Sequence, residues 1–548
     1  MNSRIFRSFL TRRDGNVAMV FGLSVIPFFV LAGMAIDIGR TVVVRERLGH
    51  AIDAAILAVG AAPELSQSQA QTFGEMFFDA NFGDTLMGSS YNVSINVDDD
   101  FIDMSAQAIV PTTLLGIVGH SSFQVFQEAQ AVRGGNDLEL VMVLDNTGSM
   151  SGTKIASLRD AAERAVRVLF ASGGTDPEAV KIGLVPFAAT VNVGAGYERA
   201  WWMDADAQSS AHHHQHTWNA DINRWDLFDE LNVDWAGCVE SRAEPYDLND
   251  ATPSLGNPNT LFAPFFAADA PGARHDGEWG YTNSESWLDD GLWTRAIDPD
   301  DEDLVEWIDD NFGGMLDDVI GDGLDPDLGL GEGEYYDSED GARQAYIGKY
   351  FESDDVWGAG PNQGCIGQSV FPLSTNEEAL IGEIEDMNAS GNTNIPNGVA
   401  WGVRVLSPSA PYTEGRSYDT EELVKAMIVL TDGDNVMSGA NNDNMSRYAT
   451  YGYVAEGRFG ITTSSSSALA DRLDDKTDWV CQYAKDEGVR VYTITFQVSS
   501  SSTREMMEDC ASTDEDGQPL YWDSPSNDQL EQVFLEIARD LVDLRLTK

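Results

Sequence analysis

The sequence predicts an α/β fold: a doubly wound, mostly parallel sheet with a long insertion, preceded by one transmembrane helix and a small α+β segment. Apolar runs such as residues 138–144 are continuous, as in strands that are covered on both faces. These runs alternate with segments such as 153–170, whose apolar residues recur at helical spacing, which predicts helices on both faces. Residues 17–36 form an uncharged stretch of 20 residues, which predicts the membrane helix.

Residues 136–548 are predicted to form this α/β domain. Its predicted strands cover residues 138–144, 181–187, 426–430, 489–496 and 520–522. Its predicted helices cover residues 153–170, 376–388, 395–406, 468–487, 503–510 and 527–545. The last helix carries charged residues throughout, so it is expected to dock on the sheet and not to form a second membrane span.

Residues 194–371 interrupt the alternation and are predicted to form an inserted acidic subdomain, because a loop of this length is uncommon inside a compact domain. Within it, residues 298–340 hold 18 acidic residues and no Lys or Arg. A solvated acidic loop is the main interpretation, and a weak Ca²⁺ site is the alternative, although the spacing of an EF-hand is missing. The histidine run of residues 212–216 is either a transition-metal site or incidental.

Arginines precede the uncharged stretch, at positions Arg4, Arg7, Arg12 and Arg13. They predict a cytoplasmic N-terminus, with the rest of the chain on the other side of the membrane. A cleaved signal peptide is the alternative interpretation, but its apolar core is shorter than residues 17–36, and no clear A-x-A cleavage site follows.

The helix is predicted to continue beyond the membrane, because Leu48, Ile52 and Ile56 lie on one apolar face. Residues 63–135 are predicted to be a small β-rich spacer, with alternating segments at 91–97, 104–113 and 122–133.

A span that runs into the pattern R-x-x-L-x-x-A-x-D-A-A resembles the N-terminal region of TadE- and TadG-like proteins, over about residues 10–62. These proteins belong to the bacterial tight-adherence (Flp) pilus systems, and residues 1–62 are assigned as such an anchor. No glutamate occupies the fifth position after Gly15, where processed prepilins carry one, so the resemblance is to the larger TadG-like type. It implies an inner-membrane, single-pass protein whose body is periplasmic or extracellular.

A polar cluster ends the first predicted strand: Asp145, Thr147 and Ser149 lie at a strand-to-helix turn. One carboxylate and two hydroxyls suit a hard cation such as Mg²⁺. The motif resembles the metal-ion-dependent adhesion site (MIDAS) of von Willebrand factor A domains, with threonine where that family usually has the middle serine. The resemblance adds Thr393 and Asp432 as ligands and implies Mg²⁺, with Mn²⁺ or Ca²⁺ as other ions. The alternative is a site that has lost its ion, with Asp145 capping the next helix.

The composition is strongly acidic, with 90 acidic and 33 basic residues and a formal net charge of −57. Such a surface repels nucleic acid, so a nucleic-acid role is excluded.

The four cysteines form no C-x-x-C pair. Of their three possible pairings we predict Cys238 with Cys365 and Cys481 with Cys510, and four free buried thiols are the alternative.

The sequence predicts a membrane-anchored, metal-dependent binding component of a Tad-type pilus system, whose protein partner presents a carboxylate. The alternative function is a structural periplasmic scaffold for pilus assembly that holds no metal. An enzyme is not expected, because Thr147 stands where aspartyl-nucleophile phosphatases carry a second carboxylate, and no other catalytic motif is present.

Overall fold

A computed structural model describes most of the chain, and it divides the chain into two compact units, residues 1–135 with 546–548 and residues 136–545. The described residues are 16–60, 67–82, 89–97, 101–113, 115–132, 136–173, 178–212, 214, 216–218, 222–270, 286–288, 324–325, 330–331, 344, 347, 349–352, 356 and 358–546. The arginines before residue 14 lie outside them, as do nearly all of residues 298–340 and His213 of the histidine run.

The N-terminal unit combines two helices with a three-stranded antiparallel sheet of order β1-β2-β3. Its elements are α1 (Asn16–Gly60), α2 (Gln67–Phe82), β1 (Ser89–Val97), β2 (Phe101–Pro111) and β3 (Ser122–Val132). The three strands predicted in this region are present, whereas α2 was not predicted.

Helix α1 differs along its length. Leu48, Ile52 and Ile56 are buried in the core of this unit, as the apolar face predicted. Phe21 and Leu31, nearer its start, are 68% and 64% exposed. Among the described residues, no helix reaches the combination of length and apolar character needed to cross a membrane.

The C-terminal unit is mixed α/β with a mostly parallel sheet, as predicted. Its six-stranded sheet has the order β11-β10-β9-β4-β5-β8, and β8 alone runs antiparallel to its neighbour. The strands are β4 (Asp137–Asp145), β5 (Val180–Phe187), β8 (Phe371–Ser374), β9 (Leu423–Thr431), β10 (Arg490–Phe496) and β11 (Tyr521–Ser524). Residues Leu324–Asp325 (β6) and Leu330–Gly331 (β7) form a separate two-stranded pair.

Helices cover both faces of this sheet. Because side chains alternate along a strand, Leu140 and Met142 of β4 belong to one core while Val141 and Val143 belong to the other. The helices of the first face are α3 (Thr153–Ser172), α6 (Glu377–Glu385) and α10 (Asn527–Leu546). Those of the second are α7 (Ile395–Leu406), α8 (Ser466–Asp486) and α9 (Ser501–Cys510). Two short helices, α4 (Arg224–Glu230) and α5 (Lys349–Glu352), lie in the insertion.

Helix α7 lies unusually close to the sheet because two glycines face it. A Cβ atom at Gly398 would lie 2.7 Å from the Phe187 ring, and one at Gly402 would lie 2.7 Å from a methyl of Val143. Larger residues at these positions would push α7 outward. The close packing therefore fixes the start of α7, where Asn394 caps the helix by accepting from the backbone of Asn397.

Many of the described residues of the insertion share a core with the second face of the sheet. Phe262 packs against Trp401 of α7, with ring centroids 5.1 Å apart, and Trp218 packs against Phe266 at 5.5 Å. Both insertion and sheet residues belong to one buried cluster. This packing holds the insertion residues of that cluster against the sheet.

The predicted disulfide bonds are present. Cys238 pairs with Cys365 and thereby joins two parts of the insertion, while Cys481 pairs with Cys510 and joins α8 to α9. No free cysteine remains.

Candidate metal centre

The candidate site lies at the carboxyl ends of β4 and β9. Asp145 is the last residue of β4, and Asp432 directly follows β9. The two strands are parallel neighbours, and β4 is also where the chain reverses its direction of growth across the sheet. Ligands of open α/β sheets bind at such a switch point.

Asp145 is fully buried and held in place by three donors. Its Oδ1 accepts from the backbone N–H of Thr147 at 2.8 Å. Its Oδ2 accepts from the hydroxyl of Thr431 at 2.8 Å and from the backbone N–H of Asp432 at 3.4 Å. These contacts fix the carboxylate against the neighbouring strand.

The two hydroxyls connect the first loop to the second carboxylate. Thr147 Oγ1 lies 3.0 Å from Ser149 Oγ, and Ser149 donates to Asp432 Oδ1 at 2.5 Å. Thr147, Ser149 and Asp432 thus form a chain of side-chain oxygen atoms, and Asp145 is joined to it through the backbone N–H groups of Thr147 and Asp432. The structure brings these four predicted residues together.

Thr393 lies in the loop that directly precedes α7, and it is buried. The backbone N–H of Gly148 donates to Gly391 O at 3.0 Å, and that of Val436 donates to Thr393 O at 2.8 Å. Gly391 has a φ of +82°, a conformation that favours glycine. Among the described hydrogen bonds, none joins the Thr393 hydroxyl to the other four side chains.

Lys154 is a site residue that the sequence analysis missed. Its Nζ lies 2.6 Å from Asp432 Oδ2, and the Asp432 side chain is fully buried. Lys154 is in the first turn of α3, where the helix dipole disfavours a cation. In the sequence, this contact is indicated only by a lysine in an unfavourable helical position directly after the D-x-T-x-S loop.

The electrostatics of the site favour a bound cation. Burial, together with the nearby charge of Asp432, raises the pKa of Asp145 to about 6, although its hydrogen bonds with Thr147 and Thr431 oppose the shift. Two ionised carboxylates in one buried site repel each other, so positive charge there stabilises both.

The donor set fits a hard divalent cation. Carboxylate and hydroxyl oxygens of Asp145, Thr147, Ser149 and Asp432 are the ligand types that Mg²⁺ takes in proteins. In the described part of the chain there is no group of three or more His, Cys, Asp or Glu residues that could hold a metal. A cation here would therefore be held by hydroxyl oxygens as well as carboxylates.

The raised pKa of Asp145 predicts a pH effect on the metal-free protein. Because the folded pKa exceeds the unfolded value of 3.8, the folded state binds the proton more tightly, and stability falls as pH rises through 4 to 6. We expect this carboxyl group to cost about 1.5 kcal/mol more at pH 7.5 than at pH 5. Asp145→Asn should lose this dependence.

Urea unfolding in excess chelator, at both pH values, measures the effect. The free energy of unfolding of the wild type, minus that of Asp145→Asn, should decrease from pH 5 to pH 7.5. A difference that stays constant would contradict the assignment of this titration to Asp145.

A small cleft borders the site on the side of Thr393. Arg447 is exposed on it, and no ion pair of this guanidinium occurs in the described part of the chain. The cleft is lined by Ala189, Asn392, Asn394, Val436, Met437, Ser438, Arg447, Tyr448, Ala449, Tyr451 and Leu473.

Two residues of the histidine run, His212 and His216, form hydrogen bonds with other segments of the fold. His212 is buried, its Nδ1 lies 3.1 Å from Asp204 Oδ2, and its Nε2 accepts from the backbone N–H of Arg224 at 2.9 Å. His216 lies 2.9 Å from Asn444 Oδ1. Both rings take part in hydrogen bonds that join segments of the insertion and the β9–α8 connection.

Comparison with known proteins supports the N-terminal assignment. Residues 15–62 match the family model described as Tad, a putative Flp pilus-assembly TadE/G-like family. The match confirms the predicted TadE/TadG-like character of this segment and supports a pilus-related function. A search of curated proteins found no significant match.

Solved structures similar to this chain include two pilus adhesins. SpaC from Lactobacillus rhamnosus GG is 12% identical with a TM-score of 0.33, over 84% of this chain and 35% of that chain. RrgA from Streptococcus pneumoniae is 10% identical with a TM-score of 0.30, over 83% and 49%. Proximal thread matrix protein 1 from the mussel byssus, with a zinc-occupied MIDAS motif, is 12% identical with a TM-score of 0.19, over 75% and 96%. The chain spans less than two thirds of the length of either adhesin.

Proposed function

We propose that this chain is a membrane-anchored, metal-dependent protein-binding component of a Tad/Flp-type pilus system. In this proposal the C-terminal unit is a von Willebrand factor A domain whose MIDAS uses Asp145, Thr147, Ser149, Thr393 and Asp432. The observation that carries the proposal is that Asp145, Thr147, Ser149 and Asp432 meet in one hydrogen-bonded group at the switch point of the sheet.

The partner's chemistry follows from this donor set. A divalent cation, Mg²⁺ in the first place and Mn²⁺ or Ca²⁺ as alternatives, would supply an open coordination position to a carboxylate of the partner. Asp145 is locked by its three donors, so it would hold the ion without rearrangement. Arg447 on the neighbouring cleft would attract the same acidic partner.

The anchor is proposed to be residues 17–36, which places the chain in the bacterial inner membrane with a cytoplasmic N-terminus. The exposed Phe21, Leu31 and Ile36 on α1 support an apolar environment for this part of the helix. The C-terminal unit is then periplasmic or extracellular, a setting in which its disulfides would persist. We propose no catalytic role for the site.

A structural scaffold without metal is the second candidate function. One observation favours it: Lys154 already neutralises Asp432 with an ammonium group at 2.6 Å. In that case the A domain would contact sister subunits in pilus assembly, and its former metal site would be closed by this ion pair.

Calorimetric titration of the full chain with Mg²⁺, Mn²⁺ and Ca²⁺ separates the two functions. We expect saturable binding that Asp145→Ala weakens by at least about 100-fold, because a carboxylate ligand is removed. Asp516→Ala is the matched control, since it removes an exposed carboxylate from a distant turn. Thermal unfolding would check that both variants remain folded.

Equal binding by the wild type and Asp145→Ala would contradict the metal-dependent function. The ion would then bind elsewhere on this acidic chain, and the scaffold would be the better description of the C-terminal unit.

A further inference from the structure

We infer that Lys154 is an internal competitor for the metal: its ammonium group occupies Asp432 in the metal-free protein and must leave when a divalent cation binds. This inference rests on the proposed metal-binding function, and it names the residue that sets how tightly the site binds its ion.

The geometry of Asp432 is the first argument. One carboxylate oxygen accepts from Lys154 at 2.6 Å, and the other accepts from Ser149 at 2.5 Å. The side chain of Asp432 is completely buried, so water does not compete for it. Both oxygens are therefore engaged, and a divalent cation bound to Asp432 would come close to the Lys154 ammonium group.

Lys154 is the contact that can be released. Its side chain is 22% exposed, whereas Ser149 would remain as a ligand when its hydrogen bond opened. The ammonium group stands 5.9 Å from the centre of the Phe496 ring, beside the site. A flexible lysine stem at the start of α3 can turn its charge out to solvent without moving the helix.

Charge balance gives the second argument. Asp145 and Asp432 bring two negative charges into one buried site, and Lys154 compensates one of them. A divalent cation would compensate both, and it would then face a lysine ammonium at close range, which is repulsive at low dielectric. Metal binding and the Lys154–Asp432 ion pair therefore exclude each other.

The position of Lys154 indicates that its ion pair is a specific feature. A cation in the first helical turn is opposed by the helix dipole, and no acidic residue lies in that turn of α3. The buried carboxylate of Asp432 offsets this cost. The same pair gives the metal-free site a stable closed form, which a neutral residue would not provide.

The test is calorimetric titration of the full chain with Mn²⁺ and Mg²⁺, for the wild type and Lys154→Met. We expect the variant to bind about tenfold more tightly, and its metal-free form to unfold at a lower temperature than the wild type. Lys154→Gln is a second neutral variant, in case Lys154→Met does not fold. Lys154→Arg, which keeps the charge, should bind like the wild type.

Lys181→Met is the matched control, because Lys181 has a similarly exposed side chain, 20%, and pairs with a surface glutamate away from the site. It should leave the affinity unchanged. Equal affinity of the wild type and both neutral variants, or weaker binding by them, would overturn the inference and leave the proposed function standing. Absence of saturable binding in every variant would overturn both.

Discussion

Loss of the disulfide between Cys238 and Cys365 is expected to lower the free energy of unfolding by about 5 kcal/mol. The bond closes a sequence separation of 127 residues, and a long closed loop strongly restricts the unfolded chain. The bond between Cys481 and Cys510 closes only 29 residues, for which the same model gives about 3.5 kcal/mol. The two bonds therefore provide an internal comparison.

Urea unfolding of two double variants measures this difference. One carries Cys238→Ala with Cys365→Ala, and the other carries Cys481→Ala with Cys510→Ala. Each variant removes two sulfur atoms, which are buried except for the half-buried Cys365, so the packing losses are similar in kind. The first variant should be the less stable, and the reverse order would contradict the loop-length argument.

The first disulfide also lies near the segment that contacts the Thr393 loop. Near it, Thr190 donates to Gly364 O at 2.9 Å and Asn192 donates to Ile366 O at 2.7 Å. These contacts hold the chain just after β5, and Asn394 donates to Ala189 O in the same segment at 3.3 Å. Loss of the bond should therefore loosen the Thr393 loop as well as the insertion.

Much of the C-terminal fold could be predicted because its signals are periodic. Continuous apolar runs marked the parallel strands, and every predicted helix of that unit is present within a few residues. Strand β8 was not predicted, because it has only four residues and lies antiparallel at the sheet edge. Helix α2 was not predicted either. Its buried positions, 70, 74, 78 and 82, include an alanine and a glycine, so its apolar pattern is weak.

The insertion could not be derived in the same way. Its aromatic residues recur without a regular spacing. No local pattern therefore predicts that Phe262 packs against Trp401 or that Trp218 packs against Phe266. Those contacts depend on how the chain crosses the sheet face. Their consequence is that a segment predicted from its length to be a subdomain contributes to the core of the sheet.

The site residues that could be predicted are those that lie close together in the sequence or at the ends of neighbouring parallel strands. Asp145 ends β4 just before Thr147 and Ser149, and Asp432 directly follows the parallel strand β9, so a shared sheet edge brings them together. Lys154 differs, because its contact with Asp432 depends on how α3 docks and not on any motif. A resemblance to a metal site names ligands, and it does not reveal a lysine of the same chain that pairs with one of them.

At the other end of β4, the variant Glu139→Gln is expected to lower the free energy of unfolding by about 3–5 kcal/mol, because it leaves a buried lysine without its counterion. Glu139 is fully buried, and its carboxylate accepts from Lys425 at 2.5 Å and from Arg416 Nε at 2.9 Å. Burial lowers the pKa of Lys425, and Glu139 opposes that shift.

Urea unfolding of Glu139→Gln, Lys425→Met and Glu139→Leu with Lys425→Met tests the pair. The double variant should recover most of the lost stability, since an apolar pair replaces two buried charges. Glu139 pairs in register with Lys425 near the amino ends of β4 and β9, whereas Asp145 and Asp432 lie at the carboxyl ends. Metal affinity should therefore stay unchanged in any variant that remains folded. A large loss of affinity would mean that the ion pair positions the site through the strands, and additive destabilisation in the double variant would contradict the counterion argument.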